Sequence, residues 1–109
     1  MLTTLEDTRF DEIEEALKDV IDPELGVNVV DLGLVYNLAW DDERDALAID
    51  MTLTTAECPL QDVITEQVAE ALDGVVDQFF ITWVWMPPWG PQRITDDGRD
   101  MMRALGFNL

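Results

Sequence analysis

Cys58 stands in the run Thr54-Thr55-Ala56-Glu57-Cys58-Pro59-Leu60 and is the only cysteine of the chain. Pro59 suits the first position of a helix, where its missing N–H has no intrahelical partner to lose. Cys58 is then expected at the N-cap, facing the unpaired amides of Leu60 and Gln61. Those amides and the helix dipole favour a thiolate by about 1 kcal/mol, somewhat under one pKa unit. Glu57 next to the thiol and a formal net charge of −18 oppose it. A lone cysteine is ordinarily a small buried apolar side chain. The strand–turn–Cys-Pro–helix setting favours a functional thiol of moderate reactivity instead. Such a thiol suits reversible ligation of a soft metal or cluster better than hydrolytic attack. The chain has no histidine, so it contains no Cys-His or Ser-His nucleophile pair and no zinc site of the usual Cys/His composition.

Around this thiol stand further side chains able to touch a ligand. Thr52 and Thr54 are expected on the strand face opposite the apolar set, with their hydroxyls available, and Thr55 in the loop beside Cys58. Asp22 and Glu24 would line the same site if the loops meet at one end of the sheet. Two carboxylates at that spacing are a weak metal signal. Asp31 reads as structural, bonding local backbone amides. The aromatic stretch Trp83-Val84-Trp85-Met86-Pro87-Pro88-Trp89 serves equally as core closure or as a docking edge.

The elements that must position these groups follow from periodicity. Phe10, Ile13, Leu17, Val20 and Ile21 make one apolar stripe, predicting a helix from Phe10 to Ile21 that stops at Asp22-Pro23. From Asp31 to Trp40 the period changes to two, with Leu32, Leu34, Tyr36, Leu38 and Trp40 on one face. After a polar turn, Leu47, Ile49, Met51 and Leu53 alternate with Ala48, Asp50, Thr52 and Thr54. The two runs predict an antiparallel hairpin with one buried face. A second helix is expected from Pro59 to about Asp73, with Leu60, Val63, Ile64, Val68, Ala71 and Leu72 inward and Gly74 as its C-terminal cap. A third strand over about 78–86, broken by Pro87-Pro88, adds in a direction the sequence leaves open. A last helix over about 96–105 is capped by Thr95 and ended by Gly106. The order α-β-β-α-β-α predicts an α+β two-layer sandwich, a small mixed sheet with helices on one face.

At 109 residues the chain is expected to be one domain, 1–109. Its 24 acidic and 6 basic residues leave no basic cluster to neutralise phosphates, which argues against nucleic acid and against anionic membrane surfaces. No apolar run approaches the length of a membrane span. The absence of a signal-like N-terminus and of a second cysteine for a disulfide point to the cytoplasm.

The segment from Asp22-Pro23-Glu24-Leu25-Gly26 to Asp31-Leu32-Gly33-Leu34-Val35-Tyr36 resembles the opening motif of the MIP18-like family, also described as domain of unknown function 59. Met51-Thr52-Leu53-Thr54-Thr55-Ala56-Glu57-Cys58-Pro59-Leu60 is similar to the cysteine motif of that family. The stretch from Trp85 through Trp89 to Gly98-Arg99 resembles its C-terminal part. The likeness is greatest to the stand-alone bacterial branch associated with the SUF iron–sulfur machinery. It implies a non-enzymatic accessory factor in iron–sulfur cluster assembly or delivery, with Cys58 as the functional thiol and Asp22, Glu24, Thr54 and Thr55 nearby. The implied partners are iron–sulfur assembly proteins and client apoproteins. No tightly bound cofactor is expected, only a transient cluster. One thiol cannot supply the usual four cysteine ligands, so a metal or cluster on Cys58 would be shared with a second protomer, as in a homodimer, or with a partner. Relatives of the same family also suggest a second role, a non-catalytic subunit of a phenylacetyl-CoA ring-hydroxylating oxygenase complex. The chain has no Gly-x-x-x-x-Gly-Lys, so it is not expected to be the form fused to a P-loop ATPase.

Overall fold

The computed structural model describes residues 2–23, 25–53 and 58–107, with the backbone alone at Cys58 and Pro59. Its elements are β1 (Leu2–Thr3), α1 (Asp7–Leu17), β2 (Val35–Asp41), β3 (Ala46–Met51), α2 (Cys58–Leu72), β4 (Phe79–Trp83), a short 3-10 helix (Pro91–Arg93) and α3 (Asp96–Ala104). The four strands form one sheet in the order β1-β2-β3-β4. β1 and β2, and β2 and β3, are antiparallel. β4 lies parallel to β3, which settles the direction that the sequence left open. The sheet is therefore mixed, and β3–α2–β4 is a βαβ crossover. The α+β class holds; the two-residue β1 and the 3-10 helix are additions too short to carry a periodicity.

The core lies between the sheet and the helices. Leu47, Ile49 and Met51 of β3 are fully buried, as are Ile13 and Leu17 of α1 and Ile64 and Val68 of α2. In α2, Leu60, Ile64, Val68 and Leu72 are buried at helical spacing, whereas Val63, expected inward, is 41% exposed. β3 is buried along both faces, because Ala46 and Ala48 are also covered.

α1 begins at Asp7 rather than Phe10, and β3 and β4 end at Met51 and Trp83, short of the pattern in the sequence; the end of α1 and the start of β2 also differ, each for a local reason. α1 ends at Leu17, not Ile21. Its last turn tightens, with Asp19 and Val20 amides donating to Ala16 and Leu17 carbonyls. Val20 then accepts from the Val29 amide at 2.9 Å, and Ile21 bridges Asn28, so extended pairing replaces helix although the apolar spacing continues. β2 begins at Val35 because residues 29–33 form turns, with Gly33 at φ +75°. The β2–β3 register shifts between Val35 and Asn37. This bulge reverses the alternation: Val35 packs against the core in place of Tyr36, whose hydroxyl instead donates to the Pro87 carbonyl at 2.7 Å.

The C-terminal helix follows its capping residues. The Thr95 hydroxyl accepts from the Gly98 amide at 3.0 Å. Beyond Leu105, the Gly106 amide bonds the Arg103 carbonyl and the Phe107 amide the Met102 carbonyl, each at 3.0 Å. With Gly106 at φ +99° this is a Schellman ending.

Candidate functional site

The backbone position of Cys58 follows from the crossover. In a βαβ unit the strand-to-helix loop leaves the sheet at the C-terminal end of the first strand. Here β3 ends at Met51 and the next described element is α2, whose first residue is Cys58. Cys58 thus takes the first helical position and Pro59 the second, one place further into the helix than the sequence suggested. Either position lies in the turn whose amides lack intrahelical partners. No acidic residue occupies that first turn.

Backbone bonds bring three separate segments to this end of the sheet. The Thr52 amide, just past β3, donates to the Leu34 carbonyl at 2.8 Å, and the Val84 amide, just past β4, donates to the Met51 carbonyl at 2.8 Å. The Trp89 indole N–H donates to the Leu32 carbonyl at 2.7 Å. The segment before β2, the start of the cysteine loop and the aromatic stretch after β4 therefore adjoin. Of the tryptophans there, Trp83 and Trp89 pack against the core, while Trp85 is 43% exposed.

Asp22 is fully buried. Its Oδ1 accepts from the Leu25 amide at 3.2 Å. Its amide donates to the Val27 carbonyl, and its own carbonyl accepts from the Gly26 amide. The loop it closes is fastened to α2 by Gln67, whose side chain accepts from the Ile21 amide at 3.0 Å and donates to the Ile21 carbonyl at 3.2 Å. That clamp grips α2 roughly 13 Å along its axis from Cys58. The first motif is thus joined to the middle of the helix that begins at Cys58. Glu24, Thr54 and Thr55 lie outside the described residues. Thr52, expected with an available hydroxyl, is 1% exposed, because the chain beyond β3 turns under the Leu34 carbonyl. Among the described residues, no three Cys, Asp or Glu side chains are grouped to hold a metal ion.

Asp31 is the centre of a bonded cluster. Its Oδ2 accepts from the Asn28 side-chain amide at 2.6 Å and its Oδ1 from the Thr95 hydroxyl at 2.7 Å. Its own amide donates to Asn28 Oδ1 at 2.8 Å, and its carbonyl accepts from the Thr95 amide at 2.8 Å. Asp31 therefore welds the turn before β2 to the cap of α3. Nearby, Arg93 lies 4.0 Å above the Tyr36 ring and donates to the Gly33 carbonyl at 3.3 Å. Sequence reading found Asp31 and the Thr95 cap separately. Nothing in the sequence signalled their partnership, or that of Tyr36 with Arg93.

Comparison with known proteins agrees with this fold. Residues 11–80 match the family model described as iron-sulfur cluster assembly protein. The chain is 43% identical over 87 residues to the Fe-S protein maturation auxiliary factor YitW of Bacillus subtilis, covering 78% of this chain and 84% of that protein. It is 44% identical over 72 residues to the Fe-S protein maturation auxiliary factor SufT of Staphylococcus aureus, covering 64% and 81%. The crystal structure of a domain of unknown function DUF59 from Bacillus anthracis superposes with a TM-score of 0.79 at 33% identity, over 94% of this chain and 96% of that one. A solution structure from Mycobacterium tuberculosis, of a protein associated with Fe-S complex assembly and repair, is 54% identical with a TM-score of 0.53, over 98% and 94%. No helix among the described residues is long and apolar enough to cross a membrane. With a family model spanning most of its length and relatives alike in both sequence and fold, the chain belongs to the iron–sulfur cluster assembly protein family.

Proposed function

We propose that this protein is an auxiliary factor in iron–sulfur protein maturation, acting through the Cys58 thiol and by docking to assembly proteins and client apoproteins. The observation that carries this reading is the start of α2 at Cys58, at the C-terminal end of the central strand. There the unpaired amides of a helix terminus favour a thiolate. The relatives named as maturation factors support the process. The single cysteine supports a hand-over role rather than storage, since a cluster ordinarily takes four thiolates. Its cargo would be held between Cys58 and ligands on a partner or a second protomer. With no histidine and no second thiol in the chain, it has neither the imidazole base nor the resolving cysteine usual in thiol enzymes.

The test is a Cys58→Ala variant in cells lacking the wild-type chain. Expected is a folded protein with wild-type circular dichroism that no longer supports iron loading and activity of cluster-dependent client enzymes. Full client loading by the variant would remove the thiol from the mechanism. Defects confined to aromatic ring hydroxylation would favour the oxygenase-subunit role over general maturation.

A further inference from the structure

β1 pairs with β2 only at Trp40 and Asp41, so β2 runs on from Val35 to Ala39 with no strand at its outer edge among the described residues. A cavity of about 250 Å³ follows that edge. Val35, Tyr36, Asn37 and Leu38 all line it. With the bulge between Val35 and Asn37, Val35 and Leu38 lie on the core side while Tyr36 and Asn37 do not, so a cavity touched by all four lies along the backbone edge, not over one face. Its other wall is α1, through Phe10 and Glu14. Phe10 is half-buried against the core, and Leu38 forms the floor.

The geometry points to this groove as the seat of an extended segment from a partner protein, added as a strand beside β2 in line with β1. The segment would carry an apolar side chain and a Lys or Arg two residues apart, both facing α1. Strand addition to an open edge draws affinity from main-chain hydrogen bonds and specificity from pockets for alternate side chains. The apolar side chain would lie against Phe10 and the floor, and the cation would meet Glu14. Charge selects the partner. The nearby cations are engaged elsewhere: Lys18 pairs with Glu15 at 3.4 Å, and Arg93 is held on the Tyr36 ring. Glu14 has no ion-pair partner among the described residues. A second copy of the chain would bring another −18 charges, whereas a basic segment is attracted over a distance. The surface does not depend on the Cys58 reading.

The probe is the blocked hexapeptide Thr-Leu-Thr-Lys-Thr-Val, titrated into the ¹⁵N-labelled full chain at low salt. Expected are amide shifts at Val35–Ala39 and around Phe10 and Glu14. Glu14→Lys should weaken binding about threefold, the scale of a half-exposed ion pair, and should strengthen binding of the same peptide with Glu in place of Lys. Cys58→Ala should bind the probe as the wild type does. Shifts spread over the acidic surface, silence at Val35–Ala39, or loss of binding in a folded Cys58→Ala protein would each overturn the assignment. So would a free chain that is already a dimer with this edge protected from hydrogen exchange.

Discussion

Gly33 offers a direct test of how the first motif works. Its φ is +75°, and a Cβ built there would overlap the Arg93 carbonyl oxygen and sit 2.8 Å from the Arg93 carbonyl carbon and Cβ. Alanine at this position meets two penalties. The left-handed backbone costs about 1–2 kcal/mol, and forcing a methyl into packed backbone costs about 1–3 kcal/mol more. Gly74 separates the two, because its φ is +81° but nothing lies within 4 Å of a Cβ there. Gly74→Ala should therefore lose only the first amount, and Gly33→Ala should exceed it by about 1–3 kcal/mol. In urea unfolding the two variants should share one slope and differ in midpoint. In heat, the extra loss lowers the Tm of Gly33→Ala by at least about 4 °C below that of Gly74→Ala. Near-ultraviolet circular dichroism should change for Gly33→Ala alone, because Trp89 is bonded to the neighbouring Leu32 carbonyl. Equal midpoints for the two variants would refute the close approach of residue 33 to the Arg93 backbone.

Two further outcomes follow from the side-chain contacts of Asp31 and Lys18. Asp31→Ala removes the acceptor of the Asn28 and Thr95 side chains and leaves both donors unmatched, one of them on a buried residue. The loss should be about 2–4 kcal/mol in urea unfolding, on the scale of hydrogen bonds to a charged group; a loss under about 1 kcal/mol would contradict the cluster. The Lys18 ammonium is held above the ordinary lysine value, first by the charge of Glu15 and then by its hydrogen bond to that carboxylate. A pKa raised on folding contributes stability that is complete below the unfolded value and is lost as pH rises through the folded one. Glu15→Gln should bring the Lys18 titration, read by NMR at Nζ, back toward the ordinary value and flatten stability across that alkaline window. An unchanged titration would exclude Glu15 as the cause.

What the sequence revealed was what repeats along it. The stripes of α2 and β3, the Thr95 cap and the Gly106 ending are local patterns, and they lie where the pattern predicts apart from the exposed Val63 and the end of β3 at Met51. The fold's class followed from their order. The unreadable parts depend on partners distant in the chain. Ile21 fits the α1 stripe, yet pairing of Val20 with Val29 withdraws it from the helix. Tyr36 fits the β2 alternation until a bulge moves it out of register. Thr52 lies on the nominal outer face of β3, but its amide is drawn to Leu34 beyond the end of the strand. At the candidate site, the helix-terminal position of Cys58 was legible because proline marks a helix start. The clamp of Gln67 on Ile21 was not, since neither residue belongs to a motif.

The backbone position of Cys58 depends on residues that carry none of the chemistry proposed for it. The end of β3 is fixed by the Thr52–Leu34 bond, and Leu34 is fixed in turn by its amide on the Val29 carbonyl. The turn holding Val29 is tied to α3 through Asp31, and Leu32 is tied to Trp89. Residues far apart in the chain thus set where the cysteine loop departs, while the Gln67 clamp sets how α2 lies against the Asp22 loop. Such a framework gives Asp31 and Gly33 a positional role without contact with any cargo. Impaired client maturation in an Asp31 variant would then accompany its lost stability and be restored by stabilising conditions. Impairment in Cys58→Ala would persist in a fully folded protein. Under the proposed function, that difference separates the residues that hold the site from the one that acts in it.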